Sequence, residues 1–180
     1  VPCCLSTGAP RAHQGRLSGL ALESAHGCAM DIHSPRQLLA ALAHILGFSP
    51  SDCTIVVVLD GARFELTLYG AHADDIDVEI AAATMRRLDQ PRFVVARFDS
   101  RATALAAFEP VMQALDDYLL LDALCVTQGT WRSLLCTEDE CCPPQGRPLD
   151  GDLAAEYVAL GSAPFASCDD LTAALRPVAL

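Results

Sequence analysis

The sequence predicts an α/β fold: a single domain with a mixed sheet of about five strands, three of them parallel through helical crossovers and the rest antiparallel hairpin partners, flanked by helices. Three observations predict it. Apolar runs of strand length, at 53–59 and 93–96, alternate with segments whose apolar residues recur at helical spacing. Two tight-turn signals, Asp60-Gly61 and Gln128-Gly129, each join two strand-like runs, and such hairpins add antiparallel partners to a sheet crossed by helices. The length of 180 residues, with 52% apolar and 19% charged side chains, suits one domain with a substantial core and is short for two.

Each element has its own signal. Ser34-Pro35 opens the first helix: serine caps free amides, and proline fits the first turn, where its missing N–H costs nothing. Leu38, Leu42, Ile45 and Leu46 share a face with Leu39 beside it, and Gly47 can close the helix in the left-handed conformation. Residues 53–59 read as a buried strand. The return strand alternates Phe64, Leu66 and Leu68 with Arg63, Glu65 and Thr67, so its second face reads as wetter. A helix over 75–88 carries Val78, Ala81, Met85 and Leu88, and Gln90-Pro91 ends it. Residues 92–98 form the third strand. Residues 102–115 read as a helix through Leu105, Phe108, Met112 and Leu115, kinked or broken by Pro110. Residues 119–126 and 130–135 are the fourth and fifth strands. After a loop, 150–160 and 167–175 read as short helices, and Ser167 with Asp170 resembles a capping box.

Residues 1–29 differ from the rest. They are rich in Ser, Gly, Ala, His and Cys without a clear period, and Met30 reads as a natural start. Residues 1–29 are therefore expected to be a disordered or non-native extension, and residues 30–180 a single α/β domain. All 12 basic residues are arginine, and asparagine is absent. Both missing residue types use A-rich codons, which points to a high-GC bacterial genome.

The formal charge of -11 argues against a nucleic-acid partner, which would need a basic face, and against an anionic membrane surface. Nine cysteines, an odd number, with no secretory-type apolar run near the start of the chain, point to a reducing cytoplasm with most thiols free.

The chemistry concentrates between Trp131 and Leu149. That segment holds the only tryptophan, three of the nine cysteines (Cys136, Cys141, Cys142), three prolines and Gly146. Cys136, Cys141 and Cys142 offer soft thiolate donors that suit zinc. Their spacing differs from the usual paired zinc motifs, adjacent cysteines rarely ligate one tetrahedral ion, and a fourth ligand would have to come from Cys125, Asp139, Glu140 or Cys168. A disulfide from Cys136 to Cys141 or Cys142 is a second reading, and it would be a labile one in a reducing compartment. A nucleophilic cysteine is a third, but no histidine lies beyond His72. The fourth reading is a rigid loop with small thiols packed under Trp131 and Pro143-Pro144 fixing its path. Glu138-Asp139-Glu140 are expected to raise the thiol pKa values by like-charge repulsion.

The carboxyl ends of the expected parallel strands carry Gly70-Ala71-His72 and Asp99-Ser100-Arg101. Ligands of open α/β sheets bind at such ends, and Asp99 and His72 have acid–base chemistry. Ordinary helix capping accounts for the same residues. Asp116, Asp117 and Asp122 form a small acidic cluster that reads as helix-end turn residues, with a divalent-metal site as the alternative, and His33 and His44 read as surface or helix-end histidines.

Trp131-Arg132-Ser133-Leu134-Leu135-Cys136, an acidic gap, then Cys141-Cys142-Pro143-Pro144-Gln145-Gly146-Arg147-Pro148-Leu149 form a long and specific motif. It resembles an actinobacterial family catalogued as domain of unknown function 4192. Leu39 to Ser49 is similar to that family's apolar helix ending in Leu-Gly-Phe-x-Pro, and the helix after Ser167 is also similar. The chain departs from the family picture at Leu68-Tyr69-Gly70, where a polar strand ending is expected. The resemblance implies an actinobacterial, cytoplasmic protein and brings no activity with it.

The expected function is therefore a binding, regulatory or interaction module for an unknown protein or small-molecule partner. Its expected surface is Trp131, Ser133, Cys136, Cys141, Cys142 and Gly146. The alternatives are a zinc- or thiol-dependent enzyme using Cys136, Cys141 and Cys142, and a thiol redox sensor.

Overall fold

The computed structural model describes residues 20–23, 32–101, 103–149, 155, 157–159 and 161–176. Its elements run β1 (Leu20–Glu23), α1 (Pro35–Leu46), β2 (Cys53–Asp60), β3 (Arg63–Gly70), α2 (Val78–Met85), β4 (Pro91–Phe98), α3 (Glu109–Ala114), β5 (Leu119–Thr127), β6 (Thr130–Ser133), β7 (Arg147–Pro148) and α4 (Cys168–Ala174). The strands form one mixed sheet in the order β1-β3-β2-β4-β5-β6-β7. The five expected strands are β2 to β6, and the short β1 and β7 extend the two edges.

β2 is antiparallel to both β3 and β4, and β4 is parallel to β5. So β3, β4 and β5 run in one direction, connected through α2 and α3, while β2 and β6 are hairpin partners. β2 sits between β3 and β4, which leaves β4 and β5 as the adjacent parallel pair among the described residues.

Each face of the sheet buries its own apolar cluster. On one face, Leu38 and Leu42 of α1 pack with Ile55, Val57, Val94 and Trp131, and Leu171 of α4 lies against them. On the other, Met85 of α2 and Phe108, Val111 and Leu115 beside α3 pack with Val56 and Val95. Alternate residues of β2 thus feed opposite clusters, as the period of a strand requires, and β2 is buried on both faces.

α1 forms as its sequence dictates. Ser34 Oγ accepts from the Gln37 amide at 3.2 Å, Pro35 occupies the first turn, and Gly47 closes the helix at φ 79°. Gln128 and Gly129 both adopt positive φ (49° and 79°), the conformation that a two-residue hairpin needs. Ser167 Oγ accepts from the Asp170 amide at 3.1 Å, so α4 carries its expected cap.

Two β-bulges change the expected faces. The register of β2 and β3 slips between Val58 and Leu59, so Leu66 opposes Val58 while Phe64 opposes Leu59. The extra residue, Glu65, sends Phe64 to the α1 cluster and leaves Leu66 and Leu68 on the other. The three do not share a face. Nor is the alternate face of β3 wet throughout. Thr67 is fully buried, its hydroxyl without a hydrogen-bond partner among the described residues, because β1 pairs along β3 and Tyr69 packs on the α1 cluster. The second slip, between Phe93 and Val94, leaves Leu121 unpaired opposite β4.

The helices are shorter than periodicity suggests. Residues 73–75 form a 3₁₀ turn, and α2 begins only at Val78, where Asp77 Oδ1 accepts from the Ile80 amide. The expected helix over 102–115 divides into a 3₁₀ turn, Leu105–Phe108, and α3. Pro110 sits in the first turn of α3, so it starts that helix instead of kinking one. Of the expected helix over 150–160, residues 155 and 157–159 are described and helical. The expectation for 1–29 falls outside the described residues apart from Leu20–Glu23, which pair with residues 66–69 although no strand period is legible there. No helix of the described residues is long and apolar enough to cross a membrane.

Candidate functional site

β6 stops where a side chain captures its backbone. Ser133 Oγ accepts from the amides of Leu135 and Cys136 at 3.2 and 3.1 Å, which turns the chain out of the sheet two residues before the expected end. The same oxygen donates to Asp122 Oδ1 of β5 at 2.5 Å, and that carboxylate oxygen also accepts from the Ala123 amide at 2.8 Å. Serine suits this junction because one hydroxyl both donates and accepts. Burial raises the Asp122 pKa, while the hydrogen bonds from Ser133 and Ala123 oppose the rise.

Beyond that junction the chain folds back on itself. The Cys141 and Cys142 amides both donate to the Glu138 carbonyl, at 3.1 and 2.7 Å. This turn brings Cys136, Cys141 and Cys142 together, with their three sulfurs within 4.8 Å of one another. Cys141 Sγ and Cys142 Sγ are 3.8 Å apart. All three are free thiols; Cys141 is exposed, and the other two are partly so.

The far side of the loop is fastened just as firmly. Arg147 donates from Nε to the Cys141 carbonyl at 2.5 Å and from its amino nitrogen to the Glu140 carbonyl at 3.0 Å. Its own backbone pairs with Trp131 as β7. Gly146 precedes it at φ 77°, where a Cβ would stand 3.0 Å from Thr130 Oγ1 and 3.1 Å from the Trp131 carbonyl oxygen. A glycine is needed there for both conformation and space.

The expected surface residues therefore fall into two groups. Trp131 is 8% exposed and belongs to the α1-side core, so it anchors the loop instead of presenting itself. Ser133 ties the loop to β5, and Gly146 allows its return. Cys136, Cys141 and Cys142 are the side chains left over, gathered on one another with Cys141 exposed and the other two partly so. The reading of thiols packed under Trp131 does not hold: Trp131 faces the α1 cluster, and none of the three thiols packs against that cluster.

The acidic run acts on Cys136 in the expected sense but is outweighed. A hydrogen bond with the Glu138 backbone, followed by those with Cys142 and Cys141, holds the Cys136 thiol below its ordinary pKa, and the Glu138 charge opposes this as the weakest influence. Burial pushes the Cys142 thiol up to about 11. None of the four expected fourth ligands joins the cluster. Cys125, for one, is buried in β5 and accepts from the Thr103 amide.

At the carboxyl edge of the sheet Arg97 meets Asp99 and the turn that carries His72, and Arg97 and Asp99 are occupied by one another and by neighbouring groups. Arg97 pairs with Asp99 at 3.1 Å, donates to Thr54 Oγ1 at 3.1 Å and also donates to the Ala71 carbonyl. Asp99 accepts from the Arg101 amide, and this bond, with those from Arg97, lowers its pKa. The His72 amide donates to Asp75, as a helix cap would.

One feature escaped the sequence reading. A cleft of about 360 Å³ lies at the amino ends of β4 and β5, lined among others by His33, Ser34, Leu59, Arg92, Leu121 and Asp122. Asp122 is therefore a strand residue in a cleft and not a turn residue. A signal was present: an acid inside the apolar run 119–126. His44 lies in the last turn of α1, a helix-end histidine as read, and its ring stacks on Tyr157 at 4.7 Å and shares a hydrogen bond with Ser162.

Residues 35–180 match the family described as domain of unknown function (DUF4192), and the chain belongs to that family. No curated protein and no solved structure matches it.

Proposed function

We propose that this family member is a cytoplasmic binding and regulatory module whose working surface is the Cys136–Cys142 loop. The observation that carries the reading is the convergence of three thiols, one exposed and two partly so, on a loop held at both ends, by Ser133 to β5 and by Arg147 to β6. Such fastening lowers the ordering cost of binding, because the loop meets its partner in a shape already set. Leu135 (42% exposed) and Leu149 (36%) flank the loop in sequence and add apolar area to the same segment. The charge of -11 turns nucleic acid and anionic membrane away as partners, leaving a protein or a small molecule. The odd number of cysteines supports a reducing cytoplasm.

The test is affinity capture from a lysate of the source organism, with the full chain and with a Cys136→Ser/Cys141→Ser/Cys142→Ser variant whose circular dichroism matches the parent. A stoichiometric partner held by the parent and released by the variant is the expected result. Identical capture by both chains, or no partner for either, would remove the loop from the role.

A further inference from the structure

We infer that Cys136, Cys141 and Cys142 bind one zinc ion through three thiolates, leaving its fourth position open to an exogenous donor. This deepens the binding role proposed above and names what that surface would carry.

The geometry points to a tetrahedral ion. Zinc–thiolate bonds of about 2.3 Å at tetrahedral angles place neighbouring sulfurs about 3.8 Å apart. Cys141 Sγ and Cys142 Sγ are 3.8 Å apart, and all three sulfurs lie within 4.8 Å of one another, so one ion can reach all three with small side-chain rotations. The objection to adjacent cysteines as joint ligands is met by the turn itself. Both amides point at the Glu138 carbonyl, and this fold brings both side chains to the Cys136 side.

The backbone of every ligand is fixed independently of any ion. The Cys136 amide is bound to Ser133, the Cys141 and Cys142 amides to Glu138, and the Cys141 carbonyl to Arg147. Preorganisation of this kind favours a metal site over a loop that must collapse around its ion.

Soft thiolates select zinc, copper(I) or iron–sulfur chemistry over magnesium or calcium. The run Glu138-Asp139-Glu140 beside the cluster adds negative charge that favours a dication over a monovalent ion. On binding, the three thiols release their protons to solvent and no redox change occurs. Among the described residues no fourth His, Cys, Asp or Glu joins the group. Three protein ligands with one open position are the arrangement of exchangeable zinc sites, in contrast to closed structural ones. In the isolated protein the fourth donor is solvent, and a partner's donor atom can replace it.

The experiment begins with elemental analysis of the full chain purified anaerobically. The metal is then removed with a chelator and replaced by titration with Co²⁺ and Zn²⁺. One equivalent of zinc is expected as purified. Stoichiometric Co²⁺ should give sulfur-to-metal charge-transfer absorption with the intense visible bands of tetrahedral cobalt. X-ray absorption at the zinc edge should count three sulfurs and one oxygen or nitrogen. Cys141→Ser, with unchanged circular dichroism, should weaken Co²⁺ binding by 10-fold or more, and the triple serine variant should show no charge-transfer band.

Copper without zinc, no charge-transfer band in the reduced parent, a band that survives in the triple variant, or four sulfurs around zinc would each overturn the inference. These readouts do not depend on any partner. A chain that binds zinc but captures nothing would sink the partner role alone, and one that captures a partner through the loop without zinc would sink the metal alone.

Discussion

The carboxyl edge of the sheet and the cysteine loop make an instructive pair. Both collect polar or ionisable side chains at or just beyond strand ends. At the edge, Arg97 serves Asp99, Thr54 and Ala71 at once, and Asp99 in turn holds the Arg101 amide. In the loop, hydrogen bonds go to backbone groups, while the three sulfurs face one another with little else to satisfy them. A cluster whose members consume one another stabilises local structure. A cluster whose backbone is fixed and whose side chains are left over is available to a ligand. Chemical type alone ranks the two sites equally; hydrogen-bond bookkeeping separates them.

Substitution of Trp131 tests whether the loop depends on the core. Trp131→Ala removes a large, nearly buried side chain from the α1 cluster and should lower stability by about 3–5 kcal/mol, read by urea denaturation. An effect below about 1 kcal/mol would show that the ring is not packed as described and would weaken the view of Trp131 as the loop's anchor.

Arg97→Ala tests the other side of the comparison. Thr54 and the Ala71 carbonyl lose a donor inside the sheet edge, which should cost about 1–3 kcal/mol in the same assay. The Asp99 carboxyl should titrate higher in carbon-detected NMR, since the Arg101 bond would remain but the Arg97 bonds and charge would be gone. The reactivity of the loop thiols toward a neutral disulfide probe should not change. A change would mean that the two regions are coupled, against the contrast drawn above.

The smallest effect concerns the junction between loop and cleft. Ser133→Ala should cost about 1 kcal/mol and push the already raised Asp122 pKa higher, because burial would then act without the opposing Ser133 bond. The sign follows from linkage. A carboxyl with a raised folded-state pKa binds more protons in the folded chain. Its contribution is therefore fully present below the unfolded pKa and lost as pH rises through the folded one. Stability of the parent should fall across that window, Asp122→Asn should flatten the fall, and Ser133→Ala should extend it to higher pH. A fall that persists unchanged in Asp122→Asn would assign it to another group.

The legibility of this chain follows what local sequence can encode. The α1 caps at Ser34 and Gly47, the Gln128-Gly129 turn and the buried run of β2 are set by neighbouring residues, and they fold as read. The faces of β3 and the side of the sheet that Leu121 and Asp122 share were not legible, because each depends on a bulge, and a bulge is a relation between two strands; only the strand position of Asp122 was marked, by an acid within an apolar run. The short α2 falls in the same class: residues 75–77 carry helical periodicity, yet a cap at Asp77 intervenes, whereas the break before α3 was marked in the sequence by Pro110. In the loop, the important residues were legible as a set but their roles were not. Trp131 and Gly146 declare themselves by rarity. Only the hydrogen bonds of Ser133 and Arg147 show which members build the loop and which are left to act.

The bulge at Leu121 has a consequence for how the chain tolerates changes in length. Leu120 packs with the α3-side cluster, and Leu121 and Asp122 both line the cleft on the α1 side. Removing Leu121, with the rest of β5 held by its neighbours, would erase the bulge and leave Leu120 opposite Phe93 on the α3 side, where alternation with Asp122 already places it. A single codon lost here moves no paired side chain to another layer, whereas the same loss in the regular run after Asp122 would turn one side of the strand over. Loops are where insertions and deletions ordinarily collect, but β5 carries a spare residue inside a strand, at the third position from its start.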